Sequence, residues 1–397
     1  GERHGFAAPI NPEGELSYTF PRMKRSIKTI MANSEKLATM EEEHDNIAYG
    51  FIPDYFMTES YYPQSEKMKE IIRNLEANRS STTWNIISKL MILLNYRFGA
   101  IDIQNKPINH GEVKVLVVAS ARYMSKENQE KLVDFTSNSG NLLISGEIPI
   151  YDMEGNPCTI LADALGVKVL DTLYNKHKFF MSIYPVDKSI GAEIRSYYAQ
   201  TFELINAEPL YRVKFNDAVC GFMSEINKGK AVVFASELNA NFKLIQSTLE
   251  KLGAKRSIYH TNKYHGLFIT TTKNNDNERY IHILNLDGFD KELQIYENEK
   301  ALFSGKTLNI QSKDALMLPV NIRFADVLIN YATAEIINKT DNSIEFRLTQ
   351  EEDILSITTN KEIIQSDDYN IIKRDNEYII TSNKNAKIDD NLIIRFK

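Results

Sequence analysis

Two glutamates stand where an open α/β sheet keeps its functional groups, at the C-terminal ends of strands. Glu147 follows Ser145-Gly146 at the end of the predicted strand 141–145, and Glu237, in FASELNANF, follows the predicted strand 231–234. Paired carboxylates are the apparatus of glycoside hydrolysis, one serving as acid and the other as nucleophile or base. Placement alone does not make such a pair. For each glutamate the structural alternative is a hydrogen bond to a loop or to a helix N-terminus. The run Glu41-Glu42-Glu43 reads as a solvated helix end.

Nucleophilic chemistry finds less support. An α/β nucleophile sits on a sharp strand-to-helix turn flanked by glycines. The loop after the apolar run 114–119 is Ser120-Ala121-Arg122-Tyr123, with no glycine two residues before or after Ser120. Cys158 precedes a helix and Cys220 lies inside a strand, positions that suit small buried side chains, and two thiols make no disulfide framework. The seven histidines show no metal-ligand spacing beyond His260 and His265, five residues apart. Neither glycine-rich phosphate pattern occurs, and no cofactor is expected.

The rest of the chain must position these groups. A hydrophobic fraction of 43%, a charged fraction of 25% and a net charge of −6 describe an ordinary globular chain. A mild acidic balance spread along the sequence argues against nucleic acid as a partner. No run of about 18 apolar residues is present, so no membrane partner is expected. The start, GERHGFAAPINPEGELSYTF, lacks an initiator methionine and reads as the interior of a longer protein.

Residues 1–40 read as an extended arm followed by a helix, with Met23, Ile27, Ile30, Met31 and Leu37 near one face. From 41 to 255, strands alternate with helices. Ser65 and Ser125 open two of the helices, Gly140 and Gly253 close two, and strands are expected at 47–52, 98–103, 114–119, 141–145, 178–183, 210–215, 218–223 and 231–234. This is a mostly parallel sheet covered on both faces, with an antiparallel extension between about 150 and 230. After 256, short alternating runs with turn residues every 8–12 positions predict one or two β-sandwich modules, 256–320 and 321–397. The aromatics Tyr259, Tyr264, Phe268, Tyr280, Phe289 and Tyr296 are candidates for stacking on sugar rings, with core packing as the alternative.

The pieces combine into a resemblance. Gly5-Phe6-Ala7-Ala8-Pro9-Ile10, followed by Gly14, resembles the exit from the catalytic barrel in bacterial β-galactosidases of glycoside hydrolase family 35. The stretches VLVVAS and Asn138–Glu147 resemble the class I glutamine-amidotransferase-like, flavodoxin-like domain that follows the barrel in family 42 β-galactosidases, and Asp314–Asn321 resembles the end of their β module. The resemblance implies an accessory, non-catalytic region of a β-galactosidase-type enzyme; the alternatives are a stand-alone amidotransferase-like hydrolase using the α/β domain, or a carbohydrate-binding module. The β-galactosidase-type enzyme's barrel would lie upstream in the same polypeptide, its substrate would be a carbohydrate, and its assembly a homo-oligomer, with a trimer among the options. No residue is carried over as catalytic, and the loop 120–123 is expected to be empty of chemistry. The aromatic stretch 51–64, with Tyr55, Phe56, Tyr61 and Tyr62, is the expected contact with the barrel or with another subunit.

Overall fold

A computed structural model describes residues 9–11, 13–58, 65–80, 82–174, 180–191, 193–237, 241–383 and 387–397. Gly5–Ala8, Tyr61, Tyr62 and positions 178 and 179 lie outside them. The chain divides into two compact units, one of His44–Arg256 and the other of the residues through Glu43 together with Ser257–Lys397. It is a mixed α/β protein rich in antiparallel sheet.

The first unit is built on parallel strands, numbered here β1 (Ile47–Phe51), β2 (Gly99–Asp102), β3 (Val115–Ser120), β4 (Asn141–Gly146) and β5 (Gly229–Phe234). Their order is β2-β1-β3-β4-β5, every neighbour parallel. The helices Glu66–Ser80 and Lys126–Ser137 cover one face; Thr82–Leu93 and Phe242–Lys251 cover the other. Period-two alternation divides β3 between them. Leu116 and Val118 pack with Leu75, Leu132 and Phe135, while Val115 and Val117 pack with Leu90 and Leu249. Burial on both faces explains the uninterrupted apolar run.

The helix ends follow capping chemistry. Ser125 accepts from the Asn128 amide at 3.2 Å, Ser65 accepts from the Met68 amide at 3.2 Å, and Gly253 takes φ +83° at the close of Phe242–Lys251. Gly140 does not close its helix. Ser139 takes the left-handed turn at φ +78°, and Gly140 is needed because a Cβ there would meet the Phe135 ring at 2.5 Å. Beyond β5 the sheet continues antiparallel through Val219–Ile226, Ala207–Val213, Met181–Pro185 and Ile194–Ser196. The pair Val167–Tyr174 and Tyr198–Leu204 attaches to its side. Val167–Tyr174 and Tyr198–Leu204 were not among the expected strands; exposed Lys168, Leu170 and Asp171 blur the alternation of the first.

Among the described residues the second unit holds an eight-stranded antiparallel sheet beside smaller ones, and in it Ala315–Phe324 pairs with Arg279–Asn285 on one side and Val327–Ala332 on the other. The module boundary expected at 320/321 falls inside this strand. The helix Phe20–Ala32 packs on Glu335–Thr340 through Thr29, which donates to the Glu335 carboxylate at 3.2 Å. The apolar stripe of that helix does not enter a core: Ile27 is 53% exposed and Met31 67%.

Candidate functional site

Parallel neighbours β3, β4 and β5 end at one edge of the sheet, so the loops that follow them meet there. Gly146 closes β4 at φ +112°, where a Cβ would lie 2.2 Å from the Ser120 carbonyl oxygen. Only glycine lets β3 and β4 approach so closely at this turn. The turn drives Glu147 inward, to 2% exposure. Gln200 holds the next residue on both sides, accepting from the Ile148 amide at 2.7 Å and donating to its carbonyl at 3.0 Å.

Glu147 is ion-paired. Its Oε1 accepts from Arg122 Nη2 at 2.9 Å and from Thr172 Oγ1 at 3.1 Å, while Oε2 has no donor among the described residues. The same guanidinium nitrogen reaches Thr172 Oγ1 at 3.1 Å and the Tyr174 hydroxyl at 3.3 Å. Burial opposes the Arg122 charge, but the Glu147 carboxylate outweighs it and holds the group above its usual range. Burial, and then Glu147, push the Tyr174 phenol up, so it stays protonated. The loop 120–123 thus carries one side of an ion pair. Its Arg122 meets a carboxylate 25 residues further on, a pairing invisible without the fold.

Glu237, after β5, accepts from the Tyr197 amide at 2.8 Å, and its own amide donates to Ser196 Oγ at 3.0 Å. With Asn74, Ala77, Asn78, Tyr174 and Tyr198, Glu147 and Glu237 line one cavity of about 290 Å³. The two carboxylates singled out in the sequence thus share a cleft. Tyr174 joins them there, while Arg122 and Thr172 hold Glu147 from outside the cavity lining, and no sequence motif marks any of the three. A buried carboxylate with a spare oxygen, a second carboxylate and two phenols suit recognition of hydrogen-bond donors.

Tyr55 does not join the cleft. It is 2% exposed in the core, and its hydroxyl accepts from the Ala121 amide at 3.4 Å. Its neighbour Phe56 is 51% exposed, with its ring 4.9 Å from Phe51. The turn Pro53–Phe56 sends one ring inward and the next outward.

Residues 66–202, which supply most of this edge, match the family described as GLMA-like, second domain. Over 330 residues the chain is 25% identical to the β-1,2-glucosyltransferase of Ignavibacterium album, covering 75% of this chain and 43% of that protein. Over 269 residues it is 26% identical to the exo-β-D-glucosaminidase of Pyrococcus horikoshii, covering 65% and 32%. Among solved structures, it is similar to a family 42 β-galactosidase from G. stearothermophilus, at 14% identity and a TM-score of 0.60 over 80% of this chain and 47% of that one. A cold-adapted β-galactosidase from Rahnella sp. R3 gives 12%, 0.60, 79% and 46%. At such identities the structural likeness speaks for the fold. The relatives are glycoside-processing enzymes. The chain spans less than half the length of the curated relatives it matches.

The remaining candidates stand apart. Among the described residues no three His, Cys, Asp or Glu side chains are placed to hold a metal. Burial pushes the Cys220 thiol up to about 12, and Cys158 is half-buried. Of the aromatics, Tyr280 is buried and donates to Asn33 Oδ1 at 2.6 Å, whereas Tyr264 and Phe289 are exposed and meet edge-to-face at 5.1 Å.

Proposed function

We propose that this chain is the non-catalytic part of a glycoside-processing enzyme of β-galactosidase type, family 35 or 42, whose catalytic barrel belongs to the same polypeptide. In this reading the first unit is a flavodoxin-like layer of the amidotransferase kind; its parallel strand order, 2-1-3-4-5, supports that. Carbohydrate is the substrate of the whole enzyme. The assembly is a homo-oligomer, and the segment 51–64, with Phe56 exposed, contributes to its contacts.

One observation carries the accessory role. The helix Phe20–Ala32 leaves Met23, Ile27, Ile30 and Met31 outward, and Ile30 borders an apolar cavity of about 330 Å³ shared with Phe268, Leu284 and Met317. A contiguous apolar surface of this kind marks a protein contact, and the catalytic region is the partner tied to the same chain. The test has two arms. The chain alone should turn over neither a chromogenic β-galactoside nor a β-glucosaminide. In the full-length enzyme, Ile27→Asp with Met31→Asp should lower both the melting temperature and kcat. Turnover by the chain alone that Glu147→Gln abolishes, or a double variant with unchanged melting and kinetics, overturns the reading.

A further inference from the structure

We propose that the cleft between Glu147 and Glu237 is a binding site for a small ligand carrying a primary ammonium group. The proposal goes beyond the accessory role and does not depend on it. Glu147 is 98% removed from solvent by its 2% exposure, yet its Oε2 has no donor among the described residues. Buried carboxylate oxygens are normally satisfied, so one lining a cavity is poised for a donor from a guest. The Arg122 charge is taken up by the opposite oxygen of Glu147. The Glu237 carboxylate accepts from the Tyr197 amide, and no cation among the described residues pairs with it. Among the described residues the cleft therefore holds one carboxylate charge more than it holds cations.

The walls fit the same guest. Tyr174, 56% exposed at the mouth, and Tyr198, 9% exposed, place their rings 6.5 Å apart at 37°, and phenol faces attract ammonium ions. The Asn74–Asn78 segment of the helix Glu66–Ser80 supplies a second, polar wall, with Ala77 leaving room between its amides. A volume of about 290 Å³ lies at the small end of ligand sites and suits a single ring or a short diamine. Among the described residues no third carboxylate, histidine or cysteine joins the two glutamates to hold a metal.

The test is calorimetric titration of the 397-residue chain with D-glucosamine, with 1,4-diaminobutane and with D-glucose. Saturable binding of either amine, weakened by salt, with glucose silent, is the expected result; which amine binds tells an amino sugar from an alkylamine. Glu147→Gln and Glu237→Gln should each weaken that binding by roughly 10-fold or more. Glu237 is half-buried at the strand end, so its variant keeps the test sound if Glu147→Gln unfolds. Failure of both amines, equal binding of glucose, or wild-type affinity in a folded Glu237→Gln overturns the proposal. No turnover is read, so this outcome and that of the accessory role are separable.

Discussion

Each unit of the molecule buries a glutamate against an arginine, and the two pairs are finished differently. In the β-rich unit both oxygens of Glu335 are occupied: Oε1 by the Met317 amide at 2.6 Å, Oε2 by Thr29 at 3.2 Å and by two nitrogens of Arg347. Arg347 then spends its remaining nitrogen on Asp389 at 2.7 Å. In the α/β unit Glu147 Oε2 and Arg122 Nε find no partner among the described residues. The two carboxylates are buried alike, Arg122 is more exposed than Arg347, and the leftover valences distinguish the pairs further. A closed network holds a fold together; an open one at the edge of a sheet is placed to hold something else. A buried ion pair is thus poor evidence for a site until its unused donors and acceptors are counted.

Substitutions sharpen that contrast. The largest effect is expected at Gly146, whose replacement by Ala sets a Cβ against the Ser120 carbonyl at a φ that disfavours side chains. The loss should be about 5 kcal/mol, or outright failure to fold, by urea denaturation. Glu335→Ala, which strands Arg347 inside a closed network, should cost about 3–5 kcal/mol. Glu147→Ala should cost less, about 1–3 kcal/mol, because Arg122 is 27% exposed and already has Thr172 and Tyr174. Equal losses at Glu335 and Glu147 would erase the distinction between the two pairs.

The smallest effect is a pH dependence. Burial holds the His282 imidazole below its ordinary value. The unfolded chain then binds the proton more readily, so this contribution is full above the unfolded pKa, about 6.5, and is lost as the pH falls below it. Denaturation midpoints between pH 7 and pH 5 should fall less steeply in His282→Gln than in the parent.

Much of the scaffold was legible in the sequence because its signals are local. Ser65 and Ser125 cap the helices they precede, Gly253 ends the one before it, and the apolar run of β3 signalled burial on both faces. The candidate cleft was half legible. Glu147 and Glu237 could be found from their places at strand ends, which periodicity exposes. Arg122, Thr172 and Tyr174 could not, since Arg122 and Thr172 meet Glu147 across 25 residues, Tyr174 meets Arg122 across 52, and the strand carrying two of them is too exposed to alternate cleanly. The stripe of Phe20–Ala32 shows the reverse failure. Its period predicted a face correctly and gave no sign that the face would point away from the core.

The strand Ala315–Phe324 serves two masters. Leu316 and Leu318 belong to one hydrophobic core of the β-rich unit, Met317 and Ile322 to the other. A gene cut between codons 320 and 321 would sever it, leaving raw edges with unpaired backbone on both products, the kind of edge that recruits neighbours into aggregates. The stretch from 257 to 397 shares this strand between its two cores, so a graft of it keeps both modules together and keeps the strand Glu41–Glu42 that pairs at its border.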